Sequence, residues 1–109
     1  MSNARVIRGR RTQVVVALWL RGHGWPRARS VWGSQPGKDV LFTPGHAIEV
    51  KARRDFQPMK WLRQAKDNAK PGEIPCVVMR CDGQGEDAEN YIVFRRLADD
   101  ELNQMRGQL

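Results

Sequence analysis

The chain has 109 residues, a length that fits one domain. A hydrophobic content of 40% and a charged content of 28% exclude a disordered chain, a collagen-like chain and a disulfide scaffold. Nineteen Lys and Arg against twelve Asp and Glu give a formal charge of +7, and residues 1–38 contain no acid. A basic region of this kind attracts polyanions, of which nucleic acid is the commonest, although a solubility function is the simpler alternative.

The sequence also indicates where the protein works. Its longest apolar run, residues 14–20, is far shorter than the roughly 20 residues that span a bilayer. The first residues lack the pattern of a secretory signal peptide. Cys76 and Cys81 fit neither a CxxC redox pair nor a zinc half-site. We therefore expect a cytoplasmic protein with free thiols and no membrane partner.

The first half of the chain predicts a basic arm, a helix and three strands. Residues 1–10 are basic and aperiodic, which predicts a flexible arm ahead of a single domain over 11–109. Thr12 is the predicted cap of a helix that ends near His23. The predicted strands cover residues 28–32, 39–42 and 47–52, and Pro44-Gly45 marks a hairpin turn between the last two.

The second half predicts two helices and two strands. Pro58 and Pro71-Gly72 bound a helix over residues 58–70. Its predicted inner stripe is Met59, Leu62, Ala65 and Ala69. Strands are predicted over 76–80 and 91–95, followed by an amphipathic helix from about Ala98. The order α-β-β-β-α-β-β-α predicts an α/β domain with a single mixed sheet flanked by helices.

Charged residues on the predicted hairpin form the most informative pattern. Residues two apart on a strand share a face, so Glu49 and Lys51 project together while Ile48 and Val50 point into the core. Strand pairing brings Asp39 beside Glu49. Two adjacent carboxylates repel each other unless a cation lies between them, and hard oxygen ligands favour Mg²⁺ or Mn²⁺.

Two further cations belong to this pattern. Lys51 is placed to orient a water molecule and to neutralise charge on a phosphate. Arg53 shares its face and is expected to bind the scissile or an adjacent phosphate. The alternative is a solvated hairpin face with a cross-strand salt bridge, because Glu-x-Lys is a short motif that also occurs by chance.

An acid, about ten residues and then Glu-x-Lys between apolar residues resembles the PD-(D/E)XK nuclease superfamily, whose restriction-endonuclease-like core has the order αβββαβ. Pro36 to Asp39 matches the first half of that motif loosely, because Gly37 and Lys38 intervene. Over residues 9–98 the chain looks like small Holliday-junction-resolvase-like endonucleases of actinobacterial phages and their hosts. The segments that carry this likeness are Gly9-Arg10-Arg11-Thr12, Gly37-Lys38-Asp39, Ile48-Glu49-Val50-Lys51-Ala52-Arg53 and Trp61-Leu62-Arg63-Gln64-Ala65.

The resemblance implies specific roles in a Mg²⁺-dependent endonuclease, with Mn²⁺ as a substitute. Asp39, Glu49 and the Val50 carbonyl would bind the metal, and Lys51 would be catalytic. Gln64 would lie at the edge of the active site, although a solvent-facing helix position is equally compatible with the sequence. Gln13 stands where such relatives usually carry a metal-facing glutamate, and this departure weakens the expectation of full activity and of a second metal.

The resemblance also implies the partners. The substrate would be branched or duplex DNA, most specifically a four-way junction, with no small-molecule substrate. A junction presents two strands for symmetrical cutting, so a C2 homodimer is expected. The alternatives are a non-catalytic DNA-binding module on this fold and a nuclease of the same fold with another DNA preference. The residues expected to contact DNA are Arg8, Arg10, Arg11, Ser34, Lys38 and Arg53.

Overall fold

Five strands form one mixed sheet in the computed structural model, which describes residues 3–31 and 36–102. The strands lie side by side in chain order, with β3 and β4 parallel and every other neighbouring pair antiparallel. The single mixed sheet and the hairpin between the second and third strands are therefore confirmed. The strands are β1 (Arg29–Ser30), β2 (Val40–Leu41), β3 (His46–Ala52), β4 (Ile74–Arg80) and β5 (Ile92–Phe94).

A helix packs on each face of this sheet. Helix α1 (Ala4–Arg21) covers the face that carries Ile48 and Val50, as the alternation in β3 predicts. Helix α2 (Pro58–Asn68) connects the parallel strands β3 and β4 and covers the other face. Because both faces are covered, the two parallel strands are buried along most of their length.

Helix α1 begins earlier than the sequence predicts, so the prediction of a flexible arm is wrong for the described residues from Ala4 onward. Asn3 is the N-cap, and its Oδ1 accepts a hydrogen bond from the Val6 amide at 2.9 Å. Thr12 does not cap the helix; it is fully buried within it and donates to the Arg8 carbonyl at 2.8 Å. The helix runs through Gly9, whose cost of about 1 kcal/mol in a helix interior is not enough to end it.

Helix α2 begins at Pro58, as predicted, and its buried residues are Trp61 and Ala65. The predicted stripe is wrong at Met59, which is 72% exposed. Trp61 takes the central position instead, because its large ring packs on Val77 and Met79 of β4. The inner face of α2 is therefore centred on an aromatic residue that was not part of the predicted stripe.

The final predicted elements are only partly described. The strand predicted over 91–95 is confirmed as β5, but a short 3₁₀ turn at Leu97–Asp99 stands where the last helix was expected to begin. The part of that predicted helix after Leu102 lies outside the described residues. Cys76 lies buried in β4 and Cys81 follows it, and both are free thiols. Neither described helix combines the length and apolarity needed to cross a bilayer.

Asn3→Ala tests the observed start of α1. The substitution removes the side chain that accepts the Val6 amide, so it should lower the free energy of unfolding by about 1 kcal/mol. Urea denaturation followed by circular dichroism measures the change. Asn3→Asp keeps a capping oxygen and should preserve stability. A flexible arm at this position would make all three proteins equally stable.

Candidate active site

Asp39 is held at the start of β2 by two hydrogen bonds to β3. Its amide donates to the Ile48 carbonyl at 3.2 Å, and its Oδ2 accepts from the Val50 amide at 2.7 Å. The side chain thus takes the place of a backbone acceptor for the Val50 amide. The N–H and C=O of a strand residue point to the same side, so the Val50 carbonyl is also directed toward Asp39.

Glu49 lies beside Asp39 on the face of the sheet that α2 covers. It is only 8% exposed, and its Oε2 is buried without a hydrogen-bond partner among the described residues. The Nζ of Lys51 lies 3.9 Å from Glu49 Oε1 and 5.9 Å from the centre of the Trp61 ring. Trp61 therefore supports the ammonium group from the helix side, where a cation–π contact is favourable.

These carboxylates open into a cleft of about 340 Å³ between the start of β2, strand β3 and the last turns of α2. Gln64 lines this cleft, and its Oε1 is buried without a hydrogen-bond partner among the described residues. Of the two positions that the sequence allows for Gln64, the structure shows the one at the cleft. The described lining residues are Pro36, Gly37, Asp39, Glu49, Gln64, Asp67 and Asn68.

The pKa values of both carboxyl groups are raised. Burial and the neighbouring charge of Asp39 raise the pKa of Glu49 to about 7, and Lys51 opposes this shift. Burial also raises the pKa of Asp39, against the opposing effects of the Val50 amide, Glu49 and Lys51. The shift of Glu49 thus has two causes, burial and a neighbouring carboxylate, whereas the shift of Asp39 is caused by burial. Near neutral pH the pair therefore readily retains a proton or binds a cation.

The donor set fits a hard divalent cation. Two buried oxygens without partners, Glu49 Oε2 and Gln64 Oε1, line the cleft together with Asp39. Oxygen donors of this type suit Mg²⁺ or Mn²⁺. Within residues 3–31 and 36–102, no three His, Cys, Asp or Glu side chains are grouped to hold a metal ion. Further ligands would therefore be the Gln64 amide, the Val50 carbonyl and water.

Gln13 does not belong to the carboxylate cleft that the structure shows. It lies in the third turn of α1, and α1 packs on the face opposite Glu49. The side chain is half-buried, and Gln13 is not one of the described residues that line the cleft. Because α1 begins at Ala4 and not after Thr12, Gln13 is also distant from the positive end of the helix dipole.

The predicted DNA-contacting residues are dispersed. Arg8 and Arg53 line a separate cavity, and Arg10 is exposed on α1. Arg11 donates two hydrogen bonds to Glu86, at 2.8 and 3.1 Å. Ser34 lies outside the described residues.

Lys38 does not point to the cleft as a free cation. Its Nζ donates to both carboxylate oxygens of Glu73 at 2.8 Å, and this pair is largely buried. The contact ties the segment before β2 to the loop that follows α2. The DNA contact at Lys38 stays a prediction, and in this structure the cation is paired with Glu73 where water screens it poorly.

The sequence analysis did not identify Asp67 and Asn68 as cleft residues. They lie three and four positions after Gln64 on α2, so all three share one face of the helix. The Nδ2 of Asn68 donates to the Gly37 carbonyl at 3.1 Å and holds the segment before Asp39 against α2. Extending the helical periodicity from Gln64 would have found both residues.

Searches against models of protein families, against curated proteins and against solved structures find no match to this chain.

The raised pKa of Glu49 predicts how stability depends on pH without metal. Between its ordinary value of 4.5 and about 7, the folded chain keeps a proton on Glu49 that the unfolded chain releases. The free energy of unfolding should therefore fall as pH rises through this window and level off above it, by an amount on the order of 3 kcal/mol. Urea denaturation in EDTA at a series of pH values from about 5 to about 8 measures this change in the free energy of unfolding. These pH values roughly span the window.

Glu49→Gln isolates this effect, because its side chain cannot ionise. It should be more stable than the natural sequence at the upper end of the window and similar at the lower end. Glu89→Gln removes a fully solvated carboxylate and is the matched control. Parallel pH profiles for the natural sequence and Glu49→Gln would contradict the assignment.

Proposed function

We propose that this chain is a divalent-metal-dependent endodeoxyribonuclease that acts on branched DNA, most specifically a Holliday junction resolvase. The observation that carries the proposal is the half-buried Asp39 beside the buried Glu49, with Lys51 next to Glu49. A structural salt bridge would need one carboxylate. The second carboxylate, the half-buried Asp39, raises the free energy of the folded state unless a cation compensates it.

The proposed reaction is hydrolysis of a phosphodiester bond by water. A divalent cation held by Asp39, Glu49, Gln64 and the Val50 carbonyl would act as a Lewis acid and lower the pKa of water. Lys51 then donates hydrogen bonds to the attacking water or to a phosphate oxygen and compensates the negative charge that develops there. Trp61 keeps the ammonium group of Lys51 in place through its contact with the ring.

The charge distribution supports a DNA substrate. Four of the arginines on α1 lie in its first eight residues, Arg5, Arg8, Arg10 and Arg11, and the helix has no acidic residue in its first turn. Such a surface gains affinity for DNA by releasing counterions. The proposal includes a C2 homodimer, since one site per protomer matches two strands of a junction. It places the enzyme in the bacterial cytoplasm, or in the host cytoplasm if a phage encodes it.

Asp39→Asn and Glu49→Gln should each abolish cleavage of a labelled four-way junction in Mg²⁺ or Mn²⁺. Binding of the junction should be unchanged or tighter, because each substitution removes a negative charge that faces phosphate. Gel assays of cleavage and of binding, with flap and linear duplexes in parallel, measure both properties. Glu89→Gln should cleave normally. Binding by the natural sequence without cleavage of any substrate would favour a non-catalytic DNA-binding module.

Metal binding can be tested without DNA. A saturating concentration of Mg²⁺ or Mn²⁺ should raise the melting temperature of the natural sequence, since a ligand at about 100 times its Kd adds about 2.7 kcal/mol of stability. For a domain of this size each kcal/mol corresponds to about 4–8 °C. Glu49→Gln should show a much smaller rise, and Glu89→Gln the full one. Equal rises in all three proteins would place the metal elsewhere.

A further inference from the structure

A second cavity lies where β3 ends, and it is dominated by arginine. Its volume is about 490 Å³. Two of its arginines come from the start of α1 and two follow β3, so the cavity joins the two elements. The described lining residues are Arg5, Arg8, Ala52, Arg53, Arg54, Asp55 and Gln57.

The arginines of this cavity are only loosely paired with acids. The closest distances are 4.0 Å from Arg8 to Asp82, 3.9 Å from Arg53 to Asp55 and 3.4 Å from Arg54 to Asp82. Charge-assisted hydrogen bonds have donor–acceptor distances of about 2.7–2.9 Å. Four positive charges face two negative ones here, which leaves a local excess of two.

One of these guanidinium groups also has a buried donor without a partner among the described residues, the Nε of Arg8. By contrast, Arg11 forms a bidentate pair with Glu86 on the same helix. A buried donor without a partner costs about 1–3 kcal/mol, and an oxyanion in the cavity would relieve that cost.

The position of Arg5 and Arg8 adds a second unfavourable term. They lie three residues apart on one face of α1, so their like charges repel each other. Arg5 is also in the first turn, where the helix dipole favours anions and disfavours cations. An anion bound beside these arginines would turn both unfavourable contributions, the mutual repulsion and the interaction with the helix dipole, into favourable ones.

We propose that this arginine cavity binds a phosphate group of a nucleic-acid strand, and that it does so without a divalent cation. The proposal rests on the proposed function only for the identity of the polyanion. Arg53 follows Glu49 by four residues, or about 13 Å along an extended strand. In this proposal the cavity lies at the end of the strand that carries Glu49, and it positions a DNA strand relative to the carboxylate cleft.

The test is the affinity for a short single-stranded DNA in EDTA, measured by fluorescence anisotropy. The double variant Arg8→Gln with Arg53→Gln should bind at least about 10-fold more weakly than the natural sequence, because hydrogen bonds to charged groups contribute about 1.5–3 kcal/mol each. The matched control is Arg27→Gln with Arg63→Gln, which removes the same charge from exposed positions outside the cavity. Equal weakening in the two double variants would overturn the proposal.

Two further measurements sharpen the result. Oligonucleotides with a 5′-phosphate and a 5′-hydroxyl distinguish a terminal phosphate from a phosphate of the chain, and either preference supports the site. Inorganic phosphate should raise the melting temperature of the natural sequence above that in chloride at equal ionic strength, and should not do so in the Arg8→Gln, Arg53→Gln variant. No rise in the natural sequence would overturn the proposal even if that variant fails to fold.

This test is independent of nuclease activity. Glu89→Gln should keep the phosphate-dependent affinity in EDTA, because Glu89 is exposed and lines neither the arginine cavity nor the carboxylate cleft. A chain that binds phosphate here but cleaves no DNA would contradict the proposed nuclease function and leave the cavity as an anion site. Cleavage of DNA without this phosphate binding would contradict the proposed anion site and leave the proposed nuclease function intact.

Discussion

The hydrogen bond from the Val50 amide to Asp39 Oδ2 determines the arrangement of the candidate site. It fixes the Asp39 carboxylate against β3 at the point where β2 begins, and so places it next to Glu49. A hydrogen bond to a charged acceptor contributes about 1.5–3 kcal/mol, which is enough to hold a carboxylate against repulsion from a neighbour. The placement of this carboxylate contributes, together with burial, to the raised pKa of Glu49.

Helix α2 and the segment before β2 position the other residues of the candidate site. Because α2 crosses the face that carries Glu49, it places Trp61 beneath Lys51 and Gln64 beside the carboxylates. The pair of Lys38 with Glu73 and the contact of Asn68 with Gly37 hold the segment before Asp39 against the same helix. The arginine cavity forms farther along β3, where α1 begins. Strand β3 thus contributes residues to both sites.

Local patterns predicted much of this arrangement. The two-residue period of β3 placed Glu49 and Lys51 together, and Pro44-Gly45 predicted the hairpin that brings Asp39 to them. The start of α1 was not predictable in this way, because its first residues are basic, include Gly9 and precede the buried part of the helix, which begins at Thr12. The arginine cavity also required the structure, since it combines residues about 45 positions apart whose proximity depends on how α1 crosses the sheet.

The central claim is that Asp39 and Glu49 together bind a divalent cation. The most direct test is a crystal structure of the natural sequence grown with Mn²⁺, with anomalous diffraction used to locate the ion. The account predicts an anomalous peak between the two carboxylates, within coordination distance of Gln64 or the Val50 carbonyl. A fully occupied Mn²⁺ elsewhere on the protein, with Lys51 bonded directly to Glu49 and no peak in the cleft, would contradict it.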